Sequence, residues 1–201
     1  MKKGRLTAHV AVLVACMGVT GLGLAQARKV FSPQVPALVY SVESMLARAS
    51  GQCIDAGTAA SQSATTSPAT LRACTGAQSQ QSWRWMGVGK NKQGRWDTFV
   101  FQNKASLQCL GVDQRSGKSG AGVVMLTCDF ADASQMWMRT VNVSYGDGRA
   151  SAPPTQWINI HSGLCLTASK AAGKTSALLQ SPCTSSYARV QQEFSVRGLQ
   201  K

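Results

Sequence analysis

The chain has 201 residues, which suits a single domain with its own core and is short for two domains. Its 21 lysine and arginine residues outnumber its 8 aspartate and glutamate residues, so that the formal net charge is +13. This balance favours acidic partners such as anionic glycans, phospholipid surfaces, nucleic acid or an acidic protein, or it forms a solvated charged surface. A zinc site is disfavoured, because there is no Cys-x-x-Cys motif and only one histidine follows residue 27.

The N-terminus has the pattern of an export signal. A basic stretch at 1–5 is followed by a mostly apolar run at 6–24 and by Ala-Gln-Ala at 25–27, which signal peptidase accepts. We therefore expect residues 1–27 to be a signal peptide and the protein to be secreted, into the medium or into a periplasm. Removal of this segment takes away three basic residues and leaves a formal charge of +10.

A second cleavage site competes with the first. Leu-Val-Ala-Cys at 13–16 is typical of a lipoprotein box, in which Cys16 would be acylated after cleavage. The protein would then be an outer-membrane lipoprotein, and a membrane is expected as a partner only in that case. The apolar run continues past Cys16, which favours the cut after Ala27.

The cysteines after the signal peptide mark an internal repeat. Six of the seven cysteines lie there, an even number that indicates a disulfide framework in an exported chain. Six cysteines allow fifteen pairings, and spacing alone does not choose among them. Each unit has a cysteine followed by an aliphatic residue, then a second cysteine, then a Gln-x-aromatic motif. The cysteine pairs and motifs are Cys53 and Cys74 with Gln81-Ser82-Trp83, Cys109 and Cys128 with Gln135-Met136-Trp137, and Cys165 and Cys183 with Gln192-Glu193-Phe194.

The segments between these marks are typical of short β-strands and turns. Stretches rich in β-branched and aromatic residues predict strands, and stretches rich in Gly, Ser and Ala predict hairpin tips. The predicted strands include 98–103, 123–128 and 156–161, and the predicted tips are 57–70, 113–122 and 169–176. A unit of roughly four short strands cannot bury its own apolar face, so we expect the three units to close around a common core.

The repeated cysteine and Gln-x-aromatic pattern resembles the ricin B-type lectin family over roughly residues 39–197. The resemblance implies an all-β fold, a β-trefoil of three repeats at 39–201 that follows an extension at 28–38. It implies one disulfide within each repeat, Cys53–Cys74, Cys109–Cys128 and Cys165–Cys183, and places Trp83, Trp137 and Phe194 in the core. By the chain-entropy model each such disulfide contributes about 3 kcal/mol.

The same resemblance implies one sugar site per repeat. In that family the site uses an aspartate two residues after the first cysteine, an aromatic platform before the second cysteine, and polar groups around the motif glutamine. A carboxylate accepts hydrogen bonds from adjacent hydroxyls, while the apolar face of the sugar stacks on the ring. The first repeat keeps the acid as Asp55, with Gln80 and Gln81 as the accompanying polar groups.

The other repeats depart from this pattern. Gly111 and Thr167 stand at the aspartate position, and Asp113 is a substitute acid in the second repeat. The platform position has no ring in any repeat, because it is occupied by Arg72, Leu126 and Ser181. Asp55 also has an alternative, structural role, since aspartate commonly accepts backbone hydrogen bonds in a turn.

A basic cluster lies beside a tryptophan in the connection between the first two repeats. The segment 88–99 places Lys90, Lys92 and Arg95 near Trp96. Such a cluster is able to stack on and neutralise an acidic sugar, a phosphate or a nucleobase. The alternative is a solvated hairpin tip whose ring packs inward.

The mature sequence lacks the residue patterns of an enzyme. Its two glutamates, Glu43 and Glu193, are far apart, and its lone histidine, His161, has neither a free cysteine nor a serine signature near it. We therefore expect no catalytic activity and no cofactor.

Two functions compete for this sequence. The first is a secreted carbohydrate-binding protein that recognises cell-surface or extracellular glycans, acidic ones among them. The second is a receptor-binding or delivery subunit of a complex like the cytolethal distending toxins, with toxin subunits as partners. The eroded sugar sites, the basic charge and Cys16 favour the second, and the three cysteine pairs favour the first. A protease-inhibitor role is the remaining alternative, and a nucleic-acid partner is not expected.

Overall fold

The structure, a computed structural model, describes residues 36–57, 66–75, 79–140, 151–169, 176–184 and 187–198. All of these residues belong to the unit Phe31–Lys201. The predicted signal peptide, the lipobox cysteine and most of the predicted extension lie outside the described residues. Within the described ranges the chain forms strands and short 3₁₀ helices, and none of these helices has the length and apolar character needed to cross a membrane.

The strands follow the three repeats. The first repeat contains β1 (Ala37–Val42), β2 (Ser44–Ala47), β3 (Cys53–Asp55), β4 (Thr66–Pro68), β5 (Thr70–Arg72) and β6 (Trp83–Lys90). The second contains β7 (Trp96–Asn103), β8 (Cys109–Val112), β9 (Val123–Leu126) and β10 (Trp137–Arg139). The third contains β11 (Ser151–Thr155), β12 (Trp157–Asn159), β13 (Cys165–Ala168), β14 (Ser176–Ser181) and β15 (Phe194–Arg197). The 3₁₀ helices are Ser79–Gln81, Asp113–Arg115, Ala133–Gln135 and Tyr187–Gln192.

The first and last strands of the repeats pair in a closed ring. β6 pairs with β1 on one side and β7 on the other, and the ring continues through β10 to β12. β11, which Gln156 alone separates from β12, pairs with β15, and β15 pairs with β2, which follows β1 after Glu43. All of these pairs are antiparallel. The ring is therefore a barrel, in which each of the described ring strands is paired on both sides when β1 with β2 and β11 with β12 are each counted as one strand.

Each repeat adds a hairpin to the barrel, and the three hairpins have the same register. They pair β3 with β5, β8 with β9 and β13 with β14, and the first cysteine always lies opposite the residue two positions before the second cysteine. These opposite pairs are Cys53 with Arg72, Cys109 with Leu126 and Cys165 with Ser181. The repeats also pair with one another, β5 with β14 and β4 with β9. The predicted β-trefoil is confirmed.

The disulfides form within the repeats, as the resemblance implies. Cys53 is joined to Cys74, Cys109 to Cys128 and Cys165 to Cys183, with Cα–Cα distances of 5.1, 4.9 and 5.0 Å. These distances lie in the usual range for disulfides. The partners are separated by 21, 19 and 18 positions, so that each bond closes a local loop.

The barrel interior is filled by aromatic side chains from two sets. The motif aromatics Trp83, Trp137 and Phe194 are 0%, 0% and 1% exposed. The second set, which the sequence analysis missed, contains Trp85 and Trp157, whose rings meet edge to face at 5.0 Å, and Phe99 and Phe101 pack against them. Edge-to-face aromatic pairs contribute beyond their buried area, so this second set adds specificity to the core.

Two buried asparagines join consecutive repeats. Asn103 donates from Nδ2 to the carbonyl oxygens of Gln80 and Ser82 at 2.9 and 3.1 Å, while its Oδ1 accepts two N–H groups of the following turn. Asn159 repeats this arrangement with the carbonyl oxygen of Ser134 at 2.8 Å. Both asparagines lie six residues before the first cysteine of their repeat. They hold the end of one repeat against the start of the next.

The junction between the third and first repeats has a different contact. The position equivalent to the two asparagines is Ala47, whose side chain has no polar group. Here the guanidinium of Arg48 forms an ion pair with Glu193, whose side chain is 10% exposed. The backbone contact is nevertheless kept, because the Arg48 N–H donates to the Glu193 carbonyl oxygen at 2.9 Å, as Lys104 does to Ser82.

Candidate functional site

The glutamine of each Gln-x-aromatic motif has the same structural role. Its Nε2 donates to the carbonyl oxygen of the residue before the second cysteine, and its Oε1 accepts the N–H of the residue after that cysteine, at 2.9 to 3.1 Å. The partners are Ala73 and Thr75 for Gln81, Thr127 and Asp129 for Gln135, and Pro182 and Thr184 for Gln192. The glutamine therefore fixes the second cysteine of its repeat next to the following barrel strand.

In the first repeat, Asp55 is 7% exposed and both of its carboxylate oxygens have partners within the protein. Oδ1 accepts the Gly57 N–H at 2.7 Å, and Oδ2 accepts the Gln81 Nε2 group at 3.1 Å. The Nε of Arg72 lies 4.0 Å from Oδ1. Gln80 is half-buried, and its carbonyl oxygen accepts backbone and side-chain N–H groups. Asp55 thus has the turn contact together with a contact to the motif glutamine.

The aspartate position is closed in the other two repeats. A Cβ at Gly111 would lie 2.7 Å from Leu126 Cδ1 and 2.9 Å from Gln135 Cγ, well inside van der Waals contact. Leu126 and Gln135 therefore occupy the space that an acidic side chain would need there. In the third repeat Thr167 is 7% exposed and its Oγ1 shares a hydrogen bond of 2.8 Å with Ser181 Oγ.

An open groove of about 530 Å³ lies beside the closed position of the second repeat, and we call it the second-repeat groove. Its walls come from the end of β8 and the turn after it, from Leu126 at the end of β9, and from the segment around Cys128. Its polar side chains include Asp113, Gln114, Arg115, Asp129 and Asp132. Of this set, Asp113 alone is a site residue predicted from the sequence. The sequence feature that could have indicated the other acidic residues of the groove is the presence of two aspartates within four residues after Cys128.

The turn that forms one wall of the second-repeat groove has left-handed backbone angles. Gln114 has a φ of 50° and Arg115 a φ of 53°, which side chains other than glycine adopt at an energetic cost. Backbone hydrogen bonds of 3.0 Å support the turn, from the Ser116 N–H to the Asp113 carbonyl oxygen and from the Asp113 N–H to the Gly122 carbonyl oxygen. This backbone places Asp113, Gln114 and Arg115 in one wall.

An ion pair connects this turn to the opposite segment. Arg115 Nε donates to Asp132 Oδ2 at 2.9 Å, and the side chains are 66% and 9% exposed respectively. Asp132 Oδ1 accepts the Ser134 N–H at 2.9 Å, so that the same carboxylate caps the 3₁₀ helix Ala133–Gln135. Burial raises the pKa of Asp132, but the hydrogen bonds from Ser134 and Arg115 outweigh it and hold this pKa below its ordinary value. The carboxylate is therefore ionised at neutral pH.

The basic cluster in the connection between β6 and β7 lies away from this groove. Trp96 packs so closely on Gly87 that a Cβ there would lie 2.5 Å from the ring. The Lys90 ammonium lies over the same ring, 4.7 Å from its centroid. Lys92 and Arg95 are exposed at the tip. The structure thus places Trp96 inward, with a cation across it, and the two other basic side chains in solvent.

The titratable candidates for catalysis are dispersed. Glu43 is exposed between β1 and β2, His161 is exposed in the turn after β12, and Glu193 forms its ion pair with Arg48. Within the described ranges, no three His, Cys, Asp or Glu side chains are grouped so as to hold a metal ion.

Solved structures with the same fold include designed, enzymatic and toxin proteins. The designed threefold-symmetric protein ThreeFoil matches with a TM-score of 0.59 and 20% identity, over 79% of this chain and 97% of that one. The exo-β-1,3-galactanase of Clostridium thermocellum matches with a TM-score of 0.59 and 16% identity, over 82% of this chain and only 31% of the enzyme. A chain of the Haemophilus ducreyi cytolethal distending toxin matches with a TM-score of 0.55 and 12% identity, over 79% and 83%. At these identities the likeness shows the fold.

The sequence itself is matched by a family model. No curated protein sequence matches the chain significantly. The model of the ricin-type β-trefoil lectin domain, however, matches residues 41–194, which include all three disulfides and end at the aromatic residue of the third motif. The matched segment covers most of the chain and coincides with the three repeats of the structure. The chain belongs to the ricin-type β-trefoil lectin domain family.

Proposed function

We propose that the protein is a secreted, non-catalytic lectin that binds glycans through the second-repeat groove. Membership of the lectin domain family supports carbohydrate binding as the general activity. The choice of site rests on one observation, an open cavity of about 530 Å³ that is lined by Asp113. Small-molecule sites commonly have volumes of about 300–1,000 Å³, so a sugar residue fits this cavity.

The chemistry of the groove suits a sugar. The Asp113 carboxylate accepts hydrogen bonds from adjacent hydroxyls, and such charge-assisted bonds are stronger than neutral ones. Arg115 uses Nε for Asp132, which leaves its Nη groups to donate to sugar oxygens. Leu126, at the platform position, offers an aliphatic surface to the apolar face of the ring. Asp132 acts here as a positioning residue, because it fixes the guanidinium of Arg115.

Secretion is part of the same proposal. It is supported by the N-terminal pattern at 1–27 and by three disulfides, which persist in oxidising compartments. Intact-mass measurement on protein from the native host tests it, and a mature chain that begins at Arg28 is the expected result. A lipid-modified chain that begins at Cys16 would instead place the protein in the outer membrane.

A glycan array followed by calorimetry on the hits tests glycan binding. We expect the Asp113→Asn variant to lose at least about tenfold in affinity, because it removes a charged acceptor. Asp97→Asn is the matched control, since Asp97 is a half-buried β7 residue that does not line the groove and whose Oδ1 accepts the Thr98 hydroxyl. An array without hits would overturn the lectin proposal.

A second candidate function is a delivery or receptor-binding subunit of a toxin complex. The observation that favours it concerns the position two residues after the first cysteine. In the second repeat, neighbouring side chains leave no room for an acidic side chain at Gly111, and in the third repeat Thr167 is hydrogen-bonded to Ser181. The shared fold with a cytolethal distending toxin chain is consistent with this role. Mild purification from the native host tests it, because a toxin subunit is expected to elute with stoichiometric partner chains. Elution as a single chain would argue against this candidate.

A further inference from the structure

The second-repeat groove has a charge opposite to that of the protein. The whole chain has a net charge of +13, but among the described residues the charged side chains that line the groove are three carboxylates and one guanidinium. The carboxylates are those of Asp113, Asp129 and Asp132, and the guanidinium is that of Arg115. The groove is therefore an acidic site on a basic protein.

Among the described residues, two of the three carboxylates have no cationic partner. Arg115 is bound to Asp132 at 2.9 Å, so these two charges largely compensate each other. Among the described residues, the one hydrogen bond to the Asp129 carboxylate comes from the Ala131 N–H, which donates to Oδ1 at 2.9 Å. Within the described residues, no hydrogen bond or ion pair involves the Asp113 carboxylate. Asp113 and Asp129 together thus present negative charge to any molecule in the groove.

Local charge decides ligand choice here more than total charge. At physiological ionic strength the Debye length is about 8 Å, so basic side chains elsewhere on the surface are largely screened from a bound ligand. Charges that line the groove itself are close to the ligand and are screened much less. An acidic sugar would therefore be repelled in the groove, although the total charge of the chain favours acidic partners.

We propose that the second-repeat groove selects sugars with a free, protonated amino group. This inference rests on the proposed function and names the ligand class of the same site. An ammonium group supplies three N–H donors and a positive charge to the carboxylates of Asp113 and Asp129, while the neighbouring sugar hydroxyls donate to the remaining carboxylate oxygens. Acetylation of the amine removes the charge and two of these donors, and the neutral sugar binds more weakly.

Calorimetry with charge-matched oligosaccharides tests this selection. Chitotetraose with free amines and its fully N-acetylated form share one backbone, and an oligomer of uronic acids supplies the negative charge. At about pH 6 and about 0.15 M salt we expect the mature protein to bind the free-amine form about tenfold more tightly than the acetylated form. The uronic acid oligomer is expected to bind most weakly. Nonspecific attraction to a basic protein would give the reverse order.

Two variants test whether the preference for the free amine arises in the second-repeat groove. Asp113→Asn is expected to reduce the preference for the free amine to about twofold, while Asp97→Asn, which removes the same charge outside the groove, leaves it unchanged. The inference is overturned if the acetylated or acidic oligomer binds as tightly as the free-amine form, or if both variants lose the preference equally. Binding of neutral sugars without an amine preference would leave the proposed lectin function intact. Absence of binding to every oligosaccharide would instead remove the proposed function itself.

Discussion

Gln180 in the third repeat donates from Nε2 to the carbonyl oxygen of Ser116 in the second repeat at 2.7 Å, across 64 positions of sequence. The same Nε2 donates to the Lys118 carbonyl oxygen at 2.9 Å. Backbone bonds join the Gly120 N–H to the Gln180 carbonyl oxygen and the Gln180 N–H to the Ala121 carbonyl oxygen, at 2.8 and 3.0 Å. Gln180 is fully buried. The loop after the groove turn is therefore held by a neighbouring repeat.

Replacement of Gln180 should loosen the wall of the second-repeat groove. We expect Gln180→Leu to lower the free energy of unfolding by about 2 kcal/mol, because two carbonyl oxygens lose their donor. Hydrogen exchange at the Gly120 and Ala121 amides should accelerate, and affinity for the groove ligand should fall severalfold. Ser162→Ala is the comparison variant, since it removes the hydrogen bond from Ser162 Oγ to Gln180 Oε1, together with the local contacts of Ser162 Oγ to Asn159 and Leu164, and keeps both bonds from Gln180 Nε2 to the carbonyl oxygens. Unchanged exchange in Gln180→Leu would contradict the anchoring role.

The closed position in the second repeat gives a packing prediction. Gly111→Ala places a Cβ 2.7 Å from Leu126 Cδ1, and we expect it to cost about 1–3 kcal/mol of stability. Leu126→Ala in the same chain should recover part of this cost, so that the two changes are not additive. Urea denaturation of both single variants and the double variant measures the coupling. Gly117→Ala, at a glycine with no heavy atom within 4 Å of a new Cβ, is the control.

Substitution of Asp55 distinguishes a structural role of this residue from a role in ligand binding. Asp55→Ala removes the acceptor of the Gly57 N–H and of Gln81 Nε2, so we expect a loss of about 1–3 kcal/mol in the free energy of unfolding. Glycan affinity of the second-repeat groove should stay within twofold of the wild type, or about 0.4 kcal/mol. Denaturation and calorimetry on the same preparation measure both effects. An about tenfold loss of affinity with unchanged stability would make Asp55 a ligand residue.

The pKa of Asp132 predicts how acid affects the protein. A carboxyl group whose pKa is lowered on folding stabilises the folded state above its unfolded pKa, and this contribution is lost as the pH falls through the folded pKa. Asp132→Asn should therefore cost about 1 kcal/mol at neutral pH and progressively less below about pH 4. Denaturation at a series of pH values measures this difference. A cost that does not change with pH would show that the charge of Asp132 is unimportant.

Much of the fold was predictable because the trefoil repeats its chemistry. The cysteine pairs and the motif aromatics recur at matching positions, and together they mark the hairpins and the core in each repeat. The second aromatic set was visible as the alternation of Trp83, Arg84 and Trp85, with side chains of a strand facing opposite sides. Asn103 and Asn159 were equally visible, six residues before a cysteine. Neither signal enters the predictions made from the sequence.

The candidate site was less predictable because it depends on contacts between distant segments. Asp113 was identified, but the opposite wall of the groove comes from segments on either side of Cys128. The left-handed backbone of Gln114 and Arg115 has no local signature, since glycine and asparagine are the residues expected there. The support from Gln180 arises only after the third repeat has packed on the second. Local patterns therefore favour Asp55 of the first repeat and give Asp113 only as a substitute acid, while the groove itself emerges from the packing of distant segments.

The pairing of β15 with β2 has a consequence for how the protein is made. A chain that leaves a membrane N-terminus first can form each disulfide as soon as about twenty residues of its repeat have emerged, because the cysteines are 18 to 21 positions apart. The barrel closes later, because Arg48 contacts Glu193 only after 145 further residues have emerged. Until then the oxidised repeats expose their apolar faces and strand edges. In the proposed export, chaperones would therefore be needed between the formation of the first disulfide and the arrival of β15.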